Sequence, residues 1–164
     1  MSSSDKNLSS FNVDSLPDAS TMRFGIVVSE WNTEITERLF KGAKEILKNS
    51  GCADENIIRL NVPGSFELPL GAKWVLEKQL PDAVICIGCV IQGETKHFDF
   101  ICQAVSEAIM QLGLDYKIPV IFGVLTTQNM QQAIDRAGGK HGNKGIEAAV
   151  TAIRMVQLKR SLSN

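Results

Sequence analysis

Ala83-Val-Ile-Cys-Ile-Gly-Cys-Val-Ile91 runs directly into Gln92-Gly-Glu-Thr-Lys-His97 and then into a long amphipathic segment. The first stretch is continuously apolar and rich in β-branched residues, the pattern of a strand buried on both faces of a parallel sheet. In the last, Phe98, Ile101, Cys102, Val105, Ala108, Ile109 and Leu112 recur at steps of three and four, which predicts a helix with one buried stripe. The polar link between them holds a glycine, a threonine able to cap the helix, and a histidine in its first turn. Open α/β sheets bind ligands at the carboxyl ends of their parallel strands, so chemistry is expected at this link.

Working outward, strand and helix keep alternating. Arg23 to Ser29 predicts a buried strand. Asn32 then caps a helix that sets Ile35, Leu39, Phe40, Ala43, Ile46 and Leu47 on one face and stops at Gly51. Asn56 to Val62 gives a second strand, Pro63-Gly-Ser-Phe-Glu67 a turn, and a helix follows through Leu70, Trp74 and Val75 to about Lys78. Pro81-Asp82 turns the chain into the central strand. Gly113 to Lys117 connects the quoted helix to a fourth buried strand, Ile118 to Leu125, with Pro119 tolerated near its start. Thr126 or Thr127 caps a helix ending at Gly138-Gly139, and Lys140 to Asn143 forms a loop. Asn143 caps a final helix with Ile146, Ala149, Val150 and Ile153 on one side. This alternation predicts a three-layer α/β/α sandwich around a four-stranded parallel sheet, flavodoxin-like in plan. Residues 21–164 read as a single domain without internal repeats. Residues 1–20, polar and carrying Pro17, read as a flexible N-terminal arm, or one whose Leu8, Phe11 and Val13 pair with a partner's sheet edge.

A chain of 164 residues is long enough to bury a real core, and its net charge of −1 creates no field that draws it to nucleic acid or membrane. No apolar run reaches the length of a bilayer span, and the Ser/Asp/Asn-rich start lacks the basic-then-apolar pattern of a signal peptide. Cys52, Cys86, Cys89 and Cys102 lie mostly inside apolar segments, which fits reduced thiols and a cytoplasmic location.

Several constellations carry candidate chemistry. Cys86-Ile-Gly-Cys89 has the C-x-x-C spacing, but in a strand residues three apart point to opposite faces, so the pair is expected to be structural. Gly88-Cys-Val-Ile-Gln-Gly-Glu-Thr95 nearly fits a phosphate loop, except that Glu94 stands where the nucleotide-binding lysine belongs. What remains is an exposed backbone turn before a helix N-terminus, which suits a monoester phosphate if a cation completes the site, or is an ordinary strand-to-helix turn. His97 opens the following helix and is a residue type that exchanges protons near neutral pH; His141, in a Gly-rich loop, is the weaker candidate. Arg136 sits in the last turn before Gly138-Gly139, where it either complements the helix dipole or forks onto a bound phosphate, and Lys144 has the same two readings. Gly138-Gly-Lys-His-Gly-Asn-Lys-Gly145 matches no nucleotide motif in spacing. Trp31 and Phe66 follow the first two strands, placed to stack a planar heterocycle or to cover the core edge.

Taken in order, Ser29-Glu-Trp31-Asn32, Val62-Pro-Gly-Ser-Phe-Glu67, Gly88-Cys-Val-Ile-Gln-Gly-Glu-Thr-Lys-His97, Pro119-Val-Ile-Phe-Gly-Val-Leu-Thr-Thr127, Arg136-Ala-Gly and Gly142-Asn-Lys-Gly145 closely resemble the lumazine synthase family. The likeness covers roughly Met22 to Leu158. It implies the condensation of 5-amino-6-(D-ribitylamino)uracil with 3,4-dihydroxy-2-butanone 4-phosphate to 6,7-dimethyl-8-ribityllumazine, a transferase step of riboflavin biosynthesis that needs no metal or organic cofactor. By this resemblance Trp31 stacks on the pyrimidine. Ser65, Phe66 and Glu67 hold the ribityl chain, and Cys89, Val90 and Ile91 line the pyrimidine. Glu94 and Thr95 form the phosphate-binding turn with Arg136 as its cation, and His97 donates and accepts protons. Phe122, from a neighbouring subunit, and Lys144 complete the pocket. The family's first aromatic is often phenylalanine and the position of Cys89 varies within it, so both are departures that bear on affinity. The resemblance also implies a homopentamer with active sites between subunits and an N-terminal arm that adds a strand to a neighbour, and it leaves association with a riboflavin synthase open. The short link from Gly138 to Asn143, without the insertion associated with pentamers, predicts a sixty-subunit icosahedral shell. Two other classes remain open: a flavodoxin-like signalling module, for which no flavin or acidic metal site is visible, and a non-catalytic binder of flavin-like ligands.

Overall fold

The computed structural model describes residues 16–162. Four parallel strands, β1 (Phe24–Ser29), β2 (Ile57–Val62), β3 (Ala83–Ile91) and β4 (Val120–Thr127), form one sheet in the order β2-β1-β3-β4. Helices α1 (Thr33–Asn49), α4 (Met130–Arg136) and α5 (Lys144–Ser161) cover one face; α2 (Leu68–Gln79) and α3 (His97–Tyr116) cover the other. The alternation of β3 divides the core: Ala83, Ile85, Ile87 and Cys89 pack under α1 and α5, while Val84 and Cys86 pack under α2 and α3. This is the three-layer sandwich that the alternating elements predict. None of the described helices is long and apolar enough to cross a membrane.

The differences from expectation lie at element ends. β4 begins at Val120 rather than Ile118, because Lys117 turns the chain in a left-handed conformation (φ 52°) and Pro119 has no N–H to give the ladder. Thr126 and Thr127 are therefore strand residues, and Asn129 caps α4 instead, its side chain accepting the Gln132 N–H at 2.9 Å. The Asn32 side chain makes no cap hydrogen bond to α1, although its backbone carbonyl accepts the Ile35 and Thr36 N–H groups at 2.9 and 3.1 Å. Thr95 does not cap α3 either: Lys96 holds that position, and the Thr95 hydroxyl accepts only a long 3.4 Å bond from the His97 N–H. Lys140 to Asn143 belongs to a small antiparallel ribbon, β5 (Ala137–Gly139) with β6 (Gly142–Asn143), rather than an open loop.

Two faces are less buried than their periodicity predicts. On α2, Leu70 and Trp74 point outward, and Leu68, Gly71, Ala72, Val75 and Leu76 make the buried side. On α3 only Val105 and Ile109 of the expected stripe are fully buried. Beyond α3 and α5 the sheet ends at β4, and an apolar groove of about 570 Å³ runs between the two helices, lined by Met110, Leu114, Val120, Met155 and Leu158. Part of the expected arm is fixed to the domain: Ala19 is fully buried and its N–H donates to the Ser50 carbonyl at 2.7 Å. Leu8, Phe11 and Val13 lie outside the described residues.

Candidate active site

The sheet order places a topological switch point between β1 and β3, because the chain leaves β1 toward β2 on one side and returns to β3 on the other. The crevice at the carboxyl ends of such a pair is the expected ligand site of an open α/β sheet. Three chain segments surround it. Trp31 follows β1 and is largely exposed, on a loop held to the β2 turn by Glu30 N–H to the Val62 carbonyl (2.8 Å) and Trp31 N–H to the Pro63 carbonyl (3.1 Å). Ser65, Phe66 and Glu67 form a single 3-10 turn after β2, with Ser65 buried, Phe66 exposed and Glu67 half-buried. Cys89, Val90 and Ile91 end β3, the first buried and the other two half-buried.

Gly88 lets these segments close on one another. A Cβ there would sit 2.6 Å from the Ser65 hydroxyl oxygen, so only glycine allows the turn to rest on β3. The Glu67 carboxylate folds back over Gly64, where a Cβ would meet it at 2.9 Å. Glu94, Thr95 and His97 continue the rim past β3, all exposed, and the Gln92 N–H bonded to the Thr127 carbonyl at 2.8 Å ties this stretch to β4.

The two cysteines of the C-x-x-C motif occupy opposite faces of β3, as strand geometry requires. Burial pushes the Cys86 thiol up to about 12 and the Cys89 thiol up to about 11, so both stay protonated and neither is a nucleophile at neutral pH. All four cysteines are free. Among the described residues no three or more His, Cys, Asp or Glu side chains gather as a metal site requires.

Arg136 forms part of a second group. Its two terminal nitrogens bind the Glu147 carboxylate at 2.9 and 3.1 Å, and one of them also donates to the His141 carbonyl at 2.6 Å. Lys144 Nζ reaches the same carboxylate at 3.3 Å. Burial works to raise the Glu147 carboxyl, but Arg136 and Lys144 outweigh it and hold it below the usual carboxylate range. Neither the helix-dipole nor the phosphate reading of Arg136 anticipates this pairing. Glu147 is the residue that sequence reasoning missed; its signal was its place one turn after Lys144 at the start of a helix.

Phe122 stands apart. It pairs with Cys86 in mid-sheet, five positions before β4 ends, and lines a cavity of about 390 Å³ on the outer side together with Lys144 and Glu147. One chain thus brings Trp31, Ser65 to Glu67 and Cys89 to Ile91 around the crevice, with Glu94, Thr95 and His97 on its rim. It binds Arg136 and Lys144 to Glu147, and leaves Phe122 at the edge strand.

Comparison with known proteins covers this whole arrangement. The family model described as 6,7-dimethyl-8-ribityllumazine synthase matches residues 21–160. The chain is 63% identical over 156 residues to the 6,7-dimethyl-8-ribityllumazine synthase of Cytophaga hutchinsonii, covering 95% of this chain and 98% of that one. It is 56% identical over 163 residues to the protein of the same name from Flavobacterium johnsoniae (99% and 86%), and 54% identical over 154 residues to that from Porphyromonas gingivalis (94% and 96%). A match of this extent, through every segment that builds the crevice, places the chain in the 6,7-dimethyl-8-ribityllumazine synthase family.

Proposed function

We propose that the chain condenses 5-amino-6-(D-ribitylamino)uracil with 3,4-dihydroxy-2-butanone 4-phosphate, releasing phosphate and water. The amine adds to the ketone and an imine forms as water leaves; inorganic phosphate is then eliminated as its C–O bond breaks. The resulting enol tautomerises to a ketone, and the ribityl-bearing nitrogen adds to that carbonyl, closing the second ring with loss of a second water. The observation that carries this reading is the convergence of Trp31, Ser65 to Glu67 and Cys89 to Ile91 on the β1–β3 crevice. An aromatic face, a turn with a carboxylate and an apolar strand end together suit a flat pyrimidine with a polyol tail. Glu94, Thr95 and the start of α3 take the phosphate with Arg136, and His97 moves protons. Such a site works chiefly by holding two reactants in register.

Phe122 and Lys144 complete the pocket across a subunit boundary, Phe122 being the neighbour's. Its position on the edge strand, beside an uncovered apolar groove, supports this arrangement. The assembly is a homopentamer that goes on to a sixty-subunit shell, in the cytoplasm, where buried reduced thiols are at home and a riboflavin synthase partner takes the product. Light scattering coupled to size exclusion tests the assembly, and a species of only five subunits would rule out the shell.

Activity is tested by following the fluorescent lumazine from both substrates, with Arg136→Ala beside wild type. The expected result is turnover above the uncatalysed background and a much higher butanone phosphate requirement in the variant. R136A/E147Q controls for the buried carboxylate that R136A deprives of its guanidinium. Background turnover from folded wild-type oligomer would overturn the catalytic reading in favour of a binder.

A further inference from the structure

Asn32 is the residue that the helix-cap reading leaves unexplained. Its backbone is left-handed (φ 59°, ψ 46°), and its side chain gives no bond to the helix it precedes. Instead its Nδ2 donates to the Cys89 carbonyl at 2.9 Å, across the switch-point crevice from β1 to β3. The ladder between these strands ends at Val28 and Ile87, two residues short of Cys89. The Asn32 amide therefore satisfies a carbonyl that the departing β1 backbone no longer reaches.

This bond completes a suspension. On one side the loop hangs from the β2 turn through the Glu30 and Trp31 N–H groups; on the other the Asn32 side chain fastens it to β3. Trp31 lies between the two anchors. It is 71% exposed, so packing does little to fix its ring, and the backbone on either side must do so. An asparagine suits both demands, since it tolerates the left-handed region and carries a donor of the right reach.

We propose that Asn32 is a positioning residue for the pyrimidine: by clamping the loop to Cys89 it sets the gap between the Trp31 ring and the Cys89–Ile91 strand end to the thickness of a planar heterocycle. The inference rests on the reading of Trp31 as the stacking residue. It assigns no contact between Asn32 and substrate.

The test uses the assembled full-length protein with Asn32→Gly and Asn32→Asp. Both substitutes accept the left-handed backbone, and both lose the amide donor. A purely conformational role predicts no change in either variant. The positioning role predicts that KM for the ribitylaminouracil rises about three- to tenfold, the worth of one hydrogen bond, while KM for the butanone phosphate moves less than twofold. A second readout needs no turnover. The chain has two tryptophans, so in a Trp74→Phe background Trp31 is the sole reporter, and its fluorescence anisotropy without substrate is expected to fall in both variants. Unchanged anisotropy together with unchanged KM would overturn the proposal. Trp31→Ala separates the two levels: if it leaves KM for the pyrimidine unchanged, the stacking reading fails, whereas the anisotropy still decides whether Asn32 holds Trp31.

Discussion

At Glu147 one carboxylate holds both Arg136, the cation of the proposed phosphate site, and Lys144, and the two sides of the Arg136–Glu147 pair are unequally placed. The Glu147 side chain is 8% exposed and that of Arg136 22%. Removing Arg136 takes two charge-assisted bonds from a carboxylate in the interior; removing Glu147 leaves a long guanidinium able to turn toward water. Denaturant unfolding is therefore expected to show R136A losing roughly 3 kcal/mol, E147A less, and the double variant less than the sum. Equal losses, or simple additivity, would show that the pair is not coupled as drawn. The pH dependence has a definite sign. A carboxyl held below its ordinary value near 4.5 stabilises the fold above that value, and this contribution disappears as pH falls through the folded-state value. E147Q should flatten the acid limb of the stability curve and leave its neutral and alkaline parts unchanged in shape.

At the scale of elements, what the sequence makes legible follows from periodicity, and what it hides follows from bonds between distant residues. β3 could be read because nine consecutive residues are apolar, and α1 because its stripe is complete. Asn143 could be read as a cap, and it is one: its Oδ1 accepts the Gly145 and Ile146 N–H groups at 2.8 and 3.3 Å. The same rule applied to Asn32 failed: its backbone is left-handed rather than extended like that of Asn143, and a local pattern cannot register the Cys89 carbonyl, 57 residues away, that takes its amide donor. Arg136 was half-read for the same reason: its charge is visible in the sequence, but Glu147 lies on another helix. The α3 stripe misleads differently, since periodicity marks which side is apolar and not whether this chain alone covers it. Asn143 also spends its donor, giving Nδ2 to the Arg38 carbonyl at 3.1 Å and so binding the start of α5 to α1. Asn143→Ala should cost about 2 kcal/mol or more in thermal or chemical unfolding, and Asn143→Asp, which keeps the cap and loses the donor, about half as much. Equal losses from the two variants would mean that the cap contributes nothing beyond the bridge to α1.

At the scale of the molecule, the strongest sign of a partner is that Phe122 and Trp31 are far apart in the sheet yet belong to one proposed pocket. Phe122 sits in mid-strand on β4, at the opposite side of β3 from the strand that leads to Trp31. The apolar groove beside it, lined by Met110, Leu114 and Leu158, is of the kind that a second copy covers in a heterologous, head-to-tail contact. In such a ring each pocket takes its Trp31 from one subunit and its Phe122 from the next. Two variants of lowered activity, Trp31→Ala and Phe122→Ala, must then restore each other when mixed. If subunits are unfolded, combined in equal amounts and reassembled at random, a pocket is intact when its first subunit supplies Trp31 and its neighbour supplies Phe122, which happens about one time in four. Lumazine formation by the mixture should therefore recover to about a quarter of the wild-type rate, while each variant reassembled alone stays low. If Phe122 serves the pocket of its own subunit, no intact site arises at any mixing ratio and the rate stays at the average of the two variants. The comparison distinguishes a shared site from a merely oligomeric enzyme, because loss of association would lower all three samples together.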